Sequence, residues 1–446
     1  MELDFASTNN MTSTAIYEYL KRENLLALII LFSIVSSNSA LGLSCIEKSV
    51  ITNQTVLYSN SVDAELKYNS QNESKIKVYY TVVPRYCTAI ELKENQLQKN
   101  SDYVVLIPGG PLSPQYFTNS DLVTKLREHF NIILPEYRSA NLQMNQYQDA
   151  DIYNTEALAS DLELIRKAEL DEKPWHVLGH SYGAYLALYY SSMFPEKTKT
   201  LVLANGFHNY RPFADQLTDA INKTYRLRIS RYFKFDSYEQ RKFLNLYDQL
   251  VELSRKGQLM LSQERRSGKG ISIYKVPEDV FDFPLVSLIE SHGLQLVIAM
   301  FQGWITGSPS SVSWLAKHFY QNKTPTENLF NAFNCGEAIP QIEKNFLSEE
   351  KYSLKIPQMK KLADCNSFVG QIRNSIVPLD QVKQPTLIIA SENDQMINST
   401  YQFETHRKIP HSHFELISNA GHFPFKRETA ASEKVINFLL NHIEQK

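Results

Sequence analysis

The sequence predicts an α/β protein: a doubly wound, mostly parallel sheet that carries a large, mainly helical insertion. Three observations lead there. Short apolar runs recur along the chain with helical patterns between them. The runs are near-continuous rather than alternating, and the pattern lapses between Phe207 and Gln384 before it resumes. Runs that are apolar at nearly every position indicate strands covered on both faces, as in a parallel sheet.

The elements follow in order. Residues 76–86, beginning Ile76-Lys77-Val78-Tyr79-Tyr80, read as an early strand of an antiparallel edge. Buried strands are expected at Tyr103–Ile107, Asn131–Leu134, Trp175–Leu178 and Thr200–Ala204, then at Thr386–Ala390 and Phe414–Ile417. Segment 154–170 is an amphipathic helix, with Leu158, Leu162 and Ile165 on one face and Asn154 as N-cap. Segment 428–446 repeats the pattern through Val435, Leu439 and His442. In such a core the active site lies at the carboxyl ends of the strands. The stretch without alternation is too long for a loop. It is expected to be a helical cap at 208–384, inserted between core segments 45–207 and 385–446, with Trp304 and Trp314 as packing residues.

The chain has 446 residues and a net charge of −2, which offers no electrostatic case for a nucleic-acid partner. Residues 1–44 read as an export signal. Lys21-Arg22 precedes an apolar run from Leu25 to Val35, followed by Ser36, Ser37, Ser39 and Ala40, and Met11 is an alternative start. The run is too short to span a bilayer core of roughly 30 Å as a helix. The competing reading is an uncleaved anchor over Leu25–Leu43. The four cysteines, Cys45, Cys87, Cys335 and Cys365, all follow the run and suit an oxidising compartment, periplasmic or secreted. Four cysteines permit three connectivities. Sequence proximity favours Cys45–Cys87 and Cys335–Cys365. A lipidated Cys45 is the alternative, and membrane contact follows only from it or from an uncleaved anchor.

Gly179-His180-Ser181-Tyr182-Gly183 sits between the apolar run Trp175–Leu178 and the small-residue helix start Ala184-Tyr185-Leu186-Ala187. A G-x-S-x-G segment between strand and helix is a nucleophile elbow, whose tight turn strains the serine and pushes its hydroxyl clear of the sheet. Ser181 is the expected nucleophile. A serine hydroxyl needs a base, and the base needs a carboxylate to fix its tautomer. On this kind of sheet the chain order is serine, acid, histidine. Asp394 follows the strand ending at Ala390, and His422 follows the last strand in Asn419-Ala420-Gly421-His422. Glu392 competes with Asp394 but lies nearer the strand, while His411 and His413 stand at the wrong end of the final strand. Two backbone amides should receive the oxyanion, those of Tyr182 and of Gly110 in Pro108-Gly109-Gly110-Pro111-Leu112.

With these motifs quoted, the chain resembles the proline iminopeptidase-like α/β-hydrolase serine peptidases, including their tripeptidyl aminopeptidase branch. The family's H-G-G-P-G loop stands here as Pro108-Gly109-Gly110-Pro111-Leu112, and its D-Q-R-G segment as Glu136-Tyr137-Arg138-Ser139. Cys335-Gly336-Glu337 and Cys365 are similar to the tripeptidyl branch's C-x-E segment and its second cysteine. The resemblance covers roughly residues 76–440 and is weak over 208–330. It implies an α/β-hydrolase fold, a peptidase acting on small peptides from their N-termini, no metal and no organic cofactor. It also makes Glu337 a candidate for the substrate's amino group. The alternatives are an esterase or lipase on the same fold, and a non-catalytic binding protein.

Overall fold

The computed structural model describes residues 45–47, 58–68, 74–87, 102–110, 114–140 except 119, 150–215 except 213, 238–264 except 257 and 259, 271–275, 302, 332–349 except 347, 355–362, 365, 372 and 376–443 except 395, 427 and 428. Side chains at positions 45–47 and 87 fall outside this description, and so does the Cys45–Cys87 pairing. Residues 1–44, where an export signal is expected, lie outside it as well.

The apolar runs become the strands of one eight-stranded sheet. Its members are β1 (Tyr58–Glu65), β2 (Lys75–Val83), β3 (Tyr103–Ile107), β4 (Asn131–Pro135), β5 (Trp175–His180), β6 (Thr198–Ala204), β7 (Thr386–Ser391) and β8 (Ser412–Ile417). Their spatial order is β1-β2-β4-β3-β5-β6-β7-β8. The β1–β2 and β2–β4 pairings are antiparallel and the rest parallel. In register, Val105 pairs with Val177, Val177 with Leu201, and Leu201 with Thr386.

Alternate residues of each central strand feed two cores, which is why the runs are apolar throughout. Val105, Ile107, Val177, Leu201 and Ile388 pack under α2 (Thr155–Leu170) and α3 (Tyr182–Met193). Val104, Leu106, Leu178, Val202 and Ile389 face the other way, with α1 (Asp121–Leu126) and the C-terminal α8 (Ala431–Leu440). Asn154 caps α2 as expected, its side chain accepting from the Ala157 N–H at 2.9 Å.

Two readings need correction. β1 went unrecognised because its sequence, Tyr-Ser-Asn-Ser-Val-Asp-Ala-Glu, is polar; as the edge strand of a hairpin it is largely exposed. β8 is the opposite edge, with His413 and Leu416 exposed, so it is not covered on both faces.

Between β6 and β7 the described residues form α4 (Tyr238–Arg255), an antiparallel hairpin of Met260–Glu264 with Ile271–Lys275, a π-helical stretch over Ala332–Ala338, α5 (Ile339–Phe346) and α6 (Ile356–Leu362). Phe333, Ala338, Ile339, Ile342 and Met359 join the core cluster that contains α3. Most of the rest of the expected cap, including Trp304 and Trp314, lies outside the described residues. Separately, Cys45–Glu47 and Arg85–Cys87 pair as a short two-stranded sheet. Between β7 and β8 lies α7 (Ser399–His406), which packs on both strands.

Candidate active site

Five chain segments leave the carboxyl ends of neighbouring strands and meet above the sheet. After β5, Ser181 adopts φ 56° and ψ −122°, a backbone conformation that non-glycine residues rarely hold, and α3 begins at once. The elbow is packed so closely that a Cβ on Gly179 would lie 2.0 Å from the Gly183 carbonyl oxygen. The loop after β3 presses on the serine itself: a Cβ on Gly109 would lie 2.7 Å from the Ser181 Cβ. Only glycine lets that backbone approach the point where an oxyanion would form.

His422 Nε2 lies 2.9 Å from Ser181 Oγ, and His422 Nδ1 lies 2.8 Å from Asp394 Oδ2. The carboxylate only accepts, so Nδ1 carries the proton and Nε2 is left to accept from the serine hydroxyl. Asp394 Oδ1 takes the Met396 and Ile397 N–H groups, each at 2.8 Å. Both carboxylate oxygens are thereby aimed. Glu392 turns away, accepting from the Asn419 N–H at 3.1 Å. His413 is exposed on β8.

Two residues outside the sequence expectations hold the histidine. His180 Nε2 lies 2.7 Å from the His422 carbonyl oxygen, and Asn205 Nδ2 reaches the same oxygen at 2.7 Å. Asn205 also donates to Ser391 Oγ at 2.7 Å and sits at φ 45°, a conformation that Asn tolerates better than most residues. His180 is buried against Phe117, Phe423 and His422. Burial, and then proximity to His422, push its pKa down to about 3, so it stays neutral and donates through Nε2. The signals were the polar side chain in the elbow's second position and the Asn-Gly pair that ends β6. Tyr137, in the altered D-Q-R-G segment, donates its hydroxyl to the Pro108 carbonyl and so ties down the loop bearing Gly109 and Gly110. Gly110 takes a left-handed φ of 31°.

Glu337 differs from expectation. As a receiver of a substrate ammonium it should face open space, yet it is 1% exposed. Oε1 accepts from the Thr155 N–H at 2.7 Å, and Oε2 from Thr155 Oγ1 at 2.6 Å and the Tyr210 hydroxyl at 3.4 Å. Three of its roughly four acceptor sites are thus taken by donors of the protein itself. Cys335 and Cys365 form a disulfide next to it. Among the described residues, no group of His, Cys, Asp and Glu is placed to hold a metal ion.

Residues 102–252 match the family described as alpha/beta hydrolase fold, a stretch that runs from β3 through the elbow and into α4. The core has the α/β-hydrolase fold. Over 140 residues the chain is 24% identical to a proline iminopeptidase of Aeromonas sobria, a match covering 28% of this chain and 33% of that protein. The chain thus spans about a third of the length of the curated relative it matches. Among solved structures, a proline iminopeptidase of Mycobacterium smegmatis is 14% identical, covering 86% of this chain and 98% of that one at a TM-score of 0.45. A Mycobacterium tuberculosis protein, Rv0554, is 15% identical, covering 86% and 99% at a TM-score of 0.46. A hydrolase from Oleispira antarctica is 15% identical, covering 77% and 92% at 0.39.

Proposed function

We propose that this protein is an exported serine hydrolase, an aminopeptidase that removes one or a few residues from peptide N-termini. The observation that carries the hydrolase reading is the continuous hydrogen-bonded line Ser181–His422–Asp394 over a strained elbow. Ser181 Oγ attacks the scissile carbonyl while His422 Nε2 takes its proton. The Tyr182 and Gly110 amides receive the oxyanion, each such donor being worth about 2.7–4 kcal/mol in the transition state. His422 then hands the proton to the leaving amine, and an acyl-Ser181 ester remains. Water, deprotonated by the same histidine, attacks that ester and releases the acid. Asp394 supports the imidazolium at each step.

The aminopeptidase assignment is supported by the partial match to a proline iminopeptidase and by the Gly-Gly-Pro loop and Cys335-Gly336-Glu337 segment. Export is supported by the Lys21-Arg22 and Leu25–Val35 pattern and by the cysteine positions. One observation favours an esterase instead: the carboxylate expected to receive the amino group is already occupied by Thr155 and Tyr210. Turnover of the purified protein on matched N-terminally free peptides, N-blocked peptides and p-nitrophenyl esters decides between them. The aminopeptidase reading requires cleavage of the free peptides with loss of activity on blocking. Equal rates on blocked and free peptides, or ester cleavage alone, would overturn it.

A further inference from the structure

Two chains of donated hydrogen bonds start on the helix that follows the nucleophile and end on one oxygen of Glu337. Thr155 Oγ1 lies 2.6 Å from Glu337 Oε2 and 3.2 Å from the Tyr182 hydroxyl. A carboxylate only accepts, so Thr155 gives its single hydroxyl proton to Glu337, and Tyr182 must donate to Thr155. In the second chain the Tyr210 hydroxyl donates to Oε2 at 3.4 Å, which leaves Tyr185 to donate to Tyr210 at 2.7 Å. Tyr182 and Tyr185 both lie in the first turn of α3, and Tyr182 immediately follows Ser181.

The carboxylate is held from behind as well. Its Oε1 accepts the Thr155 N–H at the start of the sixteen-residue α2, where the helix dipole favours negative charge. Cys335, two positions earlier, is tied to Cys365. Phe333, from the same π-helical stretch, packs edge-on against the Tyr182 ring with centroids 5.0 Å apart. Burial, then the Glu337 charge, push the Tyr182 hydroxyl well above its usual range, so it remains a donor.

We propose that Glu337 is a positioning residue: through Thr155 it fixes the Tyr182 side chain and so holds the Tyr182 amide in register with Ser181. This rests on the serine hydrolase reading above. The inserted segment 332–346 is then part of the machinery that shapes the oxyanion site, and the negative charge of Glu337 is used inside the protein rather than by the substrate. The arrangement predicts an effect on the chemical step that is blind to the substrate's N-terminus.

The test is the kinetics of Glu337→Gln, Thr155→Val, Thr155→Ser and Tyr182→Phe on one N-terminally free peptide and one neutral p-nitrophenyl ester. Fluorophosphonate labelling of Ser181 is measured in parallel. For Glu337→Gln, Thr155→Val and Tyr182→Phe, kcat should fall roughly ten- to a hundredfold on whichever of the two substrates the unmodified protein cleaves, with KM within about twofold. Thr155→Ser, which keeps the hydroxyl, should restore most of the rate lost in Thr155→Val. The double variant Glu337→Gln/Tyr182→Phe should be no worse than the poorer single variant, because both break one chain. A loss confined to the free peptide and expressed in KM would make Glu337 the amino-group receiver and overturn the assignment. Additive losses would overturn it too, as would an unchanged kcat alongside a lowered melting temperature. Should Glu337→Gln fail to fold, Tyr182→Phe, which leaves the other donors on the carboxylate, carries the same decision. Absence of Ser181 labelling in the unmodified protein overturns the hydrolase reading and this assignment together. Normal labelling with an undiminished rate in Tyr182→Phe overturns the assignment alone.

Discussion

His180 Nε2 stands 2.7 Å from the carbonyl oxygen of His422, so the residue that precedes Ser181 holds the residue whose ring reaches the Ser181 hydroxyl. Asn205, from the end of the next strand, donates to the same oxygen at 2.7 Å. His422 sits on a loop, yet its main chain is fixed from β5 and from Asn205 just after β6, the two strands that also position Ser181. The Ser181 N–H in turn bonds the Ala204 carbonyl at 2.9 Å. The serine–histidine distance is therefore set by the sheet.

Asn205→Gly removes the amide donor while still permitting the left-handed φ. The His422 carbonyl then keeps His180 but loses Asn205 as a donor, and kcat is expected to fall roughly tenfold or more, since small displacements of reacting groups are costly. KM should change little. Steady-state kinetics beside a thermal melt decide the matter: an unchanged kcat with a lowered melting temperature means Asn205 serves only the fold.

Asp394→Asn should lower kcat by about 10⁴-fold, because an amide cannot accept from both His422 Nδ1 and the two backbone N–H groups with the right tautomer. Glu392→Gln should matter little, since its partner is the Asn419 N–H, which an amide oxygen also accepts. Comparable losses in the two variants would show that the wrong carboxylate is paired with His422.

Stability should depend on pH through three buried histidines. Burial, as the leading cause, lowers the pKa of His176 and His180 to about 3 and of His208 to about 4. Each is neutral when folded and protonates on unfolding at any pH below its ordinary value of about 6.5. Their contribution is complete above pH 6.5 or so and is lost as pH falls towards 4 and then 3. Unfolding near pH 5 should take up roughly three protons from these groups. Replacing His208 with Gln should reduce the pH slope of the unfolding free energy by about one proton. A slope identical to that of the unmodified protein would mean that His208 is not held neutral.

Reducing Cys335–Cys365, or replacing Cys365 with Ser, releases a loop with a sequence separation of 30. The chain-entropy treatment puts the loss at about 3–4 kcal/mol. Denaturant midpoints with and without reductant measure it, and peptide mapping of the oxidised protein checks the pairing. A free thiol at either position in protein purified without reductant would reject the pair.

Much of the core was legible because its strands obey one simple rule. Val104 and Val105 are apolar because each supplies a different core, and that two-sidedness is visible in the letters. The elbow was legible for a similar reason: Gly179 and Gly183 mark a contact too close for any side chain. β1 was illegible because an exposed edge strand carries no hydrophobic pattern. His180 and Asn205 escaped notice because their partner is a main-chain carbonyl: a polar residue in the elbow and an Asn-Gly pair after β6 do not by themselves say what they hold. Glu337 shows a further limit. Its place in the C-x-E segment made it a candidate for the substrate's amino group, but whether it faces substrate or protein depends on Thr155 and Tyr210, which are distant in sequence.

If Ser181 is the nucleophile of a serine hydrolase, a fluorophosphonate probe will label it in the purified protein. Mapping of the modified peptide should show a single modified site at Ser181, abolished in Ser181→Ala together with turnover, a loss of several orders of magnitude. Labelling that persists at another serine in the Ser181→Ala protein, or turnover that survives the substitution, would contradict it.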